Sequence, residues 1–194
     1  MTSDEKRALR DRLVRTRAAW PPSERARASA AAAAILAETS GWRSAATVAL
    51  YAPMGAEVDT RPLSERAAAE GKRIAWPFLE PGALALRFGS CEVADLVGGP
   101  LGTREPPRLA APVALAEIDL VVVPGVAFDA RGRRLGRGRG HYDATLSLLP
   151  SRAERVGLAF ELQLVPAVPA EAHDAPLDAV VTEQRLIRVP RALR

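Results

Sequence analysis

The stretch RLGRGRGHYD, residues 134–143, sets Arg134, Arg137 and Arg139 among Gly136, Gly138 and Gly140 and closes on His141, Tyr142 and Asp143. Glycines let backbone N–H groups turn inward on an anion, and each guanidinium offers a planar fork of donors that matches phosphate oxygens. These residue types at this spacing point to a phosphate-bearing ligand; the alternative is a solvated Arg/Gly loop. No Gly-Lys-Ser/Thr follows, so the stretch is not a Walker loop, and His141 stands where the third glycine of G-x-G-x-x-G would be. Asp143 could reach the same phosphates through a bound Mg²⁺ or, alternatively, could stabilise the first turn of a helix.

Other charged residues are candidates on weaker grounds. Lys6 and Arg10 are four apart, hence on one face of an expected helix, where like charges repel unless an anion shares them. With Arg7, Arg12, Arg15 and Arg17 nearby, a plain basic surface is the competing explanation. Glu57 and Asp59, in MGAEVDT, follow an expected strand, where α/β proteins place ligand contacts. Asp59 and Thr60 are suited to capping the next helix, which leaves Glu57 as the better ligand contact. Glu105, His173 and Asp174 are loop residues that, taken singly, read as structural.

The elements that must position these groups alternate along the chain. Ser3 caps a helix from about Asp4 to Ala19; Trp20, Pro21 and Pro22 break it, and Ser23 caps a second that runs to about Glu38 and is ended by Ser40 and Gly41. TVALY (47–51) reads as a buried strand, and Thr60 with Pro62 starts a helix that Gly71 stops. RIAWPFL (73–79), ALALRF (83–88) and IDLVVVPG (118–125) read as strands, the last being the best buried strand. A helix is expected from His141 to Leu149, a strand at RVGLAF (155–160), and an edge pair formed by AVVTE and RLIRV. The class is α/β. The Gly- and Pro-rich run from Leu96 to Ala116 is expected to be a long functional loop.

Composition narrows the classes. The 194 residues, 48% hydrophobic and 26% charged, suit one soluble domain spanning 1–194. No run approaches the roughly 20 apolar residues of a membrane helix, and residues after Met1 lack a signal-peptide pattern, so a cytoplasmic protein without a membrane partner is expected. Cys91 is the lone cysteine, which excludes an intrachain disulfide; with only His141 and His173, a histidine-based metal site is not expected, whereas carboxylate-held Mg²⁺ stays open. Net charge is +4, and all basic residues but Lys6 and Lys72 are arginine, a bias that accompanies abundant alanine and speaks for codon usage over nucleic-acid binding.

Taken together, KRALR (6–10), EVDTRPL (57–63), PLGTREP (100–106), VVPGVAFDARGRRLGRGRGHYD (122–143) and HDAPLDAVVTE (173–183) resemble the 5-formyltetrahydrofolate cyclo-ligase family in order and spacing over nearly the full length. The fourth block is the most specific. The resemblance implies a three-layer α/β domain of the NagB/RpiA/CoA-transferase-like type with a mostly parallel or mixed central sheet, a requirement for ATP and Mg²⁺, and a reduced folate substrate. It implies ATP contacts from Lys6, Arg10 and the run Arg134, Leu135, Gly136, Arg137, Gly138, Arg139, Gly140, His141 and Tyr142, with catalytic roles for Arg139 and Tyr142. It also implies metal ligation by Asp143 and Asp174, and folate contacts from Ala52 and Glu57. His141 departs from the family pattern, in which a second tyrosine is common, as does Arg104 where an apolar residue is usual.

Two other functions fit parts of the chain. An RNA- or nucleotide-binding module without turnover would use the basic loop, but Glu57, Asp143 and Asp174 would repel nucleic acid, so no nucleic-acid partner is expected. An ATP-dependent enzyme of the same fold acting on a different small molecule is the second. A monomer is expected.

Overall fold

The computed structural model describes residues 3–169 and 175–190. Among the described residues five α-helices are formed: α1 (Ser3–Ala19), α2 (Pro22–Ala37), α3 (Ser40–Ser44), α4 (Arg61–Ala69) and α5 (His141–Leu146). Pro22 takes the first position of α2, where its missing N–H and fixed φ cost nothing, so Ser23 lies inside the helix and is not its cap. Nor do Ser40 and Gly41 simply end α2. Thr39 Oγ1 accepts from Trp42 N at 3.2 Å and starts α3, which seats the fully buried Trp42.

Eight strands make one sheet in the order β12-β11-β10-β7-β1-β2-β3-β6. Its middle is parallel: β11 (Ala179–Val181), β10 (Glu154–Leu158), β7 (Leu120–Val123), β1 (Thr47–Ala49) and β2 (Arg73–Phe78). Antiparallel strands β12 (Leu186–Arg188), β3 (Arg87–Ser90) and β6 (Ala111–Val113) extend its two sides. Successive side chains alternate between two cores, as the pleat requires. Val48, Ile74, Trp76, Leu120 and Val122 pack with α2 and α4 on one face. Ala49, Ala75, Val121, Val123 and Val180 pack with Leu146 of α5 on the other.

Several expected elements shift. The strand expected at 83–88 forms later, at 87–90, and the helix expected to reach Leu149 stops at Leu146, three residues before Leu149 and four before Pro150. The expected loop 96–116 contains β6 and a small hairpin of β4 (Val97–Gly98) with β5 (Arg104–Glu105). A second hairpin, β8 (Ala127–Phe128) with β9 (Arg134–Leu135), carries the chain from the end of β7 into the Gly/Arg loop.

The topology sets where a ligand can sit. From β1 the chain crosses through α4 to β2 on one side; from β7 it crosses through α5 to β10 on the other, the two helices covering opposite faces. Strands β1 and β7 are neighbours, so a crevice opens between their carboxyl ends.

Candidate active site

A cavity of about 620 Å³ lies at that crevice. Tyr51 and Ala52, just past β1, and Pro124 and Gly125, just past β7, form its floor. Every described residue to which the resemblance gives a ligand contact lines it: Lys6 and Arg10 from α1, Ala52 and Glu57 after β1, and the whole run from Arg134 to Asp143, whereas Asp59 turns to Arg61. Asp174 and His173 lie outside the described residues.

The Gly/Arg loop owes its shape to backbone conformations that side chains disfavour. Gly138 (φ 92°) and Gly140 (φ 73°) are both left-handed, turning the chain sharply between Arg137 and His141. Arg10 Nε donates to Gly136 O at 2.9 Å, which ties α1 to the loop across 126 residues of sequence. Leu135 packs beneath α1 with Leu13 and Val126. Arg139 is exposed at the rim and forms no ion pair with a described residue, so its guanidinium is available to an anion.

The three arginines do different things. Arg134 is almost enclosed: its side chain is 5% exposed, and Nη2 donates to Asp143 Oδ1 at 2.7 Å. Its guanidinium carbon stands 5.7 Å from the centre of the half-buried Tyr142 ring, and its Nε has no hydrogen-bond partner among the described residues. Arg137 reaches across the cavity, both Nε (3.1 Å) and Nη2 (2.9 Å) donating to Glu57 Oε1. Glu57 Oε2 accepts from Met54 N at 2.9 Å, so this carboxylate also closes its own turn. The sequence reading gave Glu57 no structural duty; the fold gives it one, and still leaves it on the wall.

Burial, reinforced by the Glu57 carboxylate, holds the Tyr142 phenol well above its ordinary 10.0, and the same causes raise Tyr51. Both are neutral at physiological pH, and Tyr142 is a hydrogen-bond donor beside the Arg134–Asp143 pair. The Tyr51 hydroxyl is taken up by Val58 O at 2.9 Å.

Opposite the charged wall, Pro77, Phe78 and Leu86 supply an apolar surface, and Thr103, Arg104 and Glu105 of the β4–β5 hairpin close the side. A clasp fastens the segment before β3 to α5: His141 Nδ1 meets Leu84 O at 2.8 Å, Leu86 N donates to Thr145 Oγ1 at 2.8 Å, and Thr145 Oγ1 donates to His141 O at 2.6 Å. Arg104 Nη2 donates to Leu96 O at 3.1 Å and so braces its own hairpin. The lining residues Tyr51, Phe78, Leu86 and Gly125 carried no sequence signal, because apolar wall residues look like core until the sheet order is known.

Asp143 offers a hard oxygen donor on the cavity wall, the type Mg²⁺ takes alongside phosphate oxygens and water. Among the described residues no group of three or more His, Cys, Asp or Glu side chains could by itself hold a metal. The donor chemistry of the described residues therefore fits a cation shared with a phosphate ligand.

Fold and cavity define an α/β protein with a basic, half-apolar crevice at the point where strand order reverses. The model of the 5-formyltetrahydrofolate cyclo-ligase family matches residues 2–183, and the chain belongs to that family of enzymes. A 5-formyltetrahydrofolate cyclo-ligase of Mycolicibacterium smegmatis is 32% identical over 191 residues, 95% of this chain and 97% of the relative. One of Escherichia coli K12 is 38% identical over 144 residues, 72% of this chain and 79% of the relative. The solved structure of a 5,10-methenyltetrahydrofolate synthetase from Aquifex aeolicus matches with a TM-score of 0.82 at 31% identity, covering 95% of this chain and 92% of that one. These similarities bear out the expected α/β class, family and enzymatic nature. No described helix is long and apolar enough to cross a membrane.

Proposed function

We propose that the protein converts 5-formyltetrahydrofolate to 5,10-methenyltetrahydrofolate at the expense of ATP, with Mg²⁺, releasing ADP and phosphate. The observation that carries this is convergence: residues scattered from Lys6 to Asp143 line one crevice, cationic on one wall and apolar with a carboxylate on the other. The cationic wall suits a triphosphate, and the apolar wall with Glu57 suits a flat, polar-edged heterocycle.

ATP transfers its terminal phosphoryl group to the formyl oxygen and leaves as ADP. N10 then attacks the activated formyl carbon and loses its proton, and the C–O bond to phosphate breaks, closing the ring and freeing inorganic phosphate. Catalysis of this kind is chiefly positioning and charge neutralisation. Lys6, Arg10 and the loop from Arg134 to Gly140 hold the phosphates, and Arg139, being unpaired with described residues, meets the transferring group. Protonated Tyr142 donates to developing negative charge. Asp143, with Asp174, would hold Mg²⁺, which when bound neutralises phosphate charge. Ala52 and Glu57 contact the folate. One molecule of the protein suffices, with no nucleic-acid partner.

The test is the absorbance change on mixing the protein with 5-formyltetrahydrofolate and Mg-ATP, with ATP and metal omitted in turn. Methenyl product requiring both is expected, and R139A should lose most turnover while keeping its fold. Folded protein that binds ATP but makes no product would move the assignment to another acceptor.

A further inference from the structure

Arg17 shares a stripe of α1 with Lys6, Arg10 and Leu13, yet it stands behind the cavity wall and does not line it. It is 3% exposed. Arginine is seldom so buried unless paired, and the only hydrogen bond its guanidinium makes to a described residue is Nη1 to Gly125 O, at 3.2 Å; the enclosed Nε has no partner among the described residues. Burial pushes the guanidinium below its usual range, and the strongest opposing influence is the Glu57 carboxylate. A cation therefore sits beneath the site, compensated by one carbonyl and by a wall residue.

Gly125 is the point through which this contact spreads. Gln163 Nε2, itself 1% exposed, donates to the same carbonyl at 2.9 Å. A Cβ at Gly125 would lie 2.5 Å from Phe128 Cζ and 3.0 Å from Arg134 Cγ, so the bare backbone is pressed against the arginine that holds Asp143. From Arg17 one line of contact runs through Gly125 and Arg134 to Asp143, and a line of charge runs to Glu57 and on to Arg137.

We propose that Arg17 is a positioning residue: without touching substrate, its buried cation fixes the Gly125 turn under Arg134 and with it the Arg134–Asp143 pair, aligning the phosphate side of the crevice with the folate side. This rests on the cyclo-ligase function proposed above. In-line transfer between two bound substrates is sensitive to misplacement of an ångström or less, which can cost about a hundredfold in rate.

Wild type, R17M, R17K and the exposed control R15M are compared by circular dichroism and by kcat and KM for each substrate per folded molecule. R17M should lower kcat/KM for 5-formyltetrahydrofolate about 10- to 100-fold, and R17K, which restores the charge without the fork, should fall between R17M and wild type. R15M should match wild type. R17M that is merely less heat-stable, with wild-type kinetics per folded molecule, overturns the proposal, as does R17K no better than R17M. Should R17M fail to fold, R17Q, which keeps a donor for Gly125 O but carries no charge, decides: wild-type kinetics in folded R17Q overturns it. Wild-type protein without turnover overturns the cyclo-ligase function and this proposal with it, whereas active wild type beside an equally active R17M overturns this proposal alone.

Discussion

Asp143→Asn separates the structural duty of Asp143 from its proposed duty toward metal and phosphate. The substitution keeps the shape but removes the charge that Arg134 Nη2 meets at 2.7 Å. Removing one partner of a fully buried pair costs about 3–5 kcal/mol because the other charge is stranded. Arg134 is buried enough for that at 5% exposure, but the Asp143 side chain keeps 22%, and the amide oxygen of Asn can still accept. A loss of about 2–3 kcal/mol is expected for a charge-assisted bond in this partly buried setting. For a chain of this size that lowers Tm by about 4–12 °C. R134M with D143N removes both charges, and the pair as a whole is expected to cost only about 1 kcal/mol, less than D143N alone, so with the cost of R134M added the coupling in the double-mutant cycle should be at least about 1–2 kcal/mol. Scanning calorimetry with and without Mg-ATP gives a second readout. Ligand at about a hundredfold over Kd stabilises wild type by about 2.7 kcal/mol, and this increment should largely vanish in D143N. Equal losses in the single and double variants would refute the pairing. An undiminished Mg-ATP increment in D143N would refute the metal role.

Replacing His141 with Phe removes the Nδ1 contact to Leu84 O and should cost about 1 kcal/mol, with faster amide exchange at Leu84–Leu86 than in wild type; unchanged exchange there would show that the Leu86–Thr145 bond alone holds the segment. Tyr51 and Tyr142 both have phenols raised by burial, so the stability they confer is fully present below the ordinary tyrosine value of 10.0 and is lost as pH rises from there toward their folded values. Urea unfolding between pH 8 and pH 11 should therefore show a steeper alkaline fall in the wild type than in Y142F, and parallel curves would contradict the burial.

Much of this protein can be read from its residues one segment at a time. The long apolar run at 118–125 and the alternation of helix and strand suffice for the α/β class, since side-chain periodicity and burial are local consequences of helix and pleat. The Gly/Arg loop is equally plain, because positive φ needs glycine and phosphate needs forked donors, and both demands are written in residue type. Lys6, Arg10, Glu57 and Asp143 are marked by family resemblance and then prove to line one crevice.

What the segments leave open is which charges face one another. Arg134, Arg137 and Arg139 look alike in sequence, yet one is buried on Asp143, one spans the crevice to Glu57 and one stands at the rim. Arg17 reads as one more surface charge on a basic helix, but α1 lies so that it is enclosed against Gly125. Likewise β8, β9 and β6 are too short to show a period, and they exist only because partner strands meet them. These outcomes follow from β1 lying beside β7 in the sheet, a pairing of residues some 70 positions apart that no local pattern encodes. Residue types and their local spacing are enough for the class, the phosphate-type loop and the candidate residues; which of these pair with which comes from the fold, because strand order, not residue type, chooses which ends of the sheet come together.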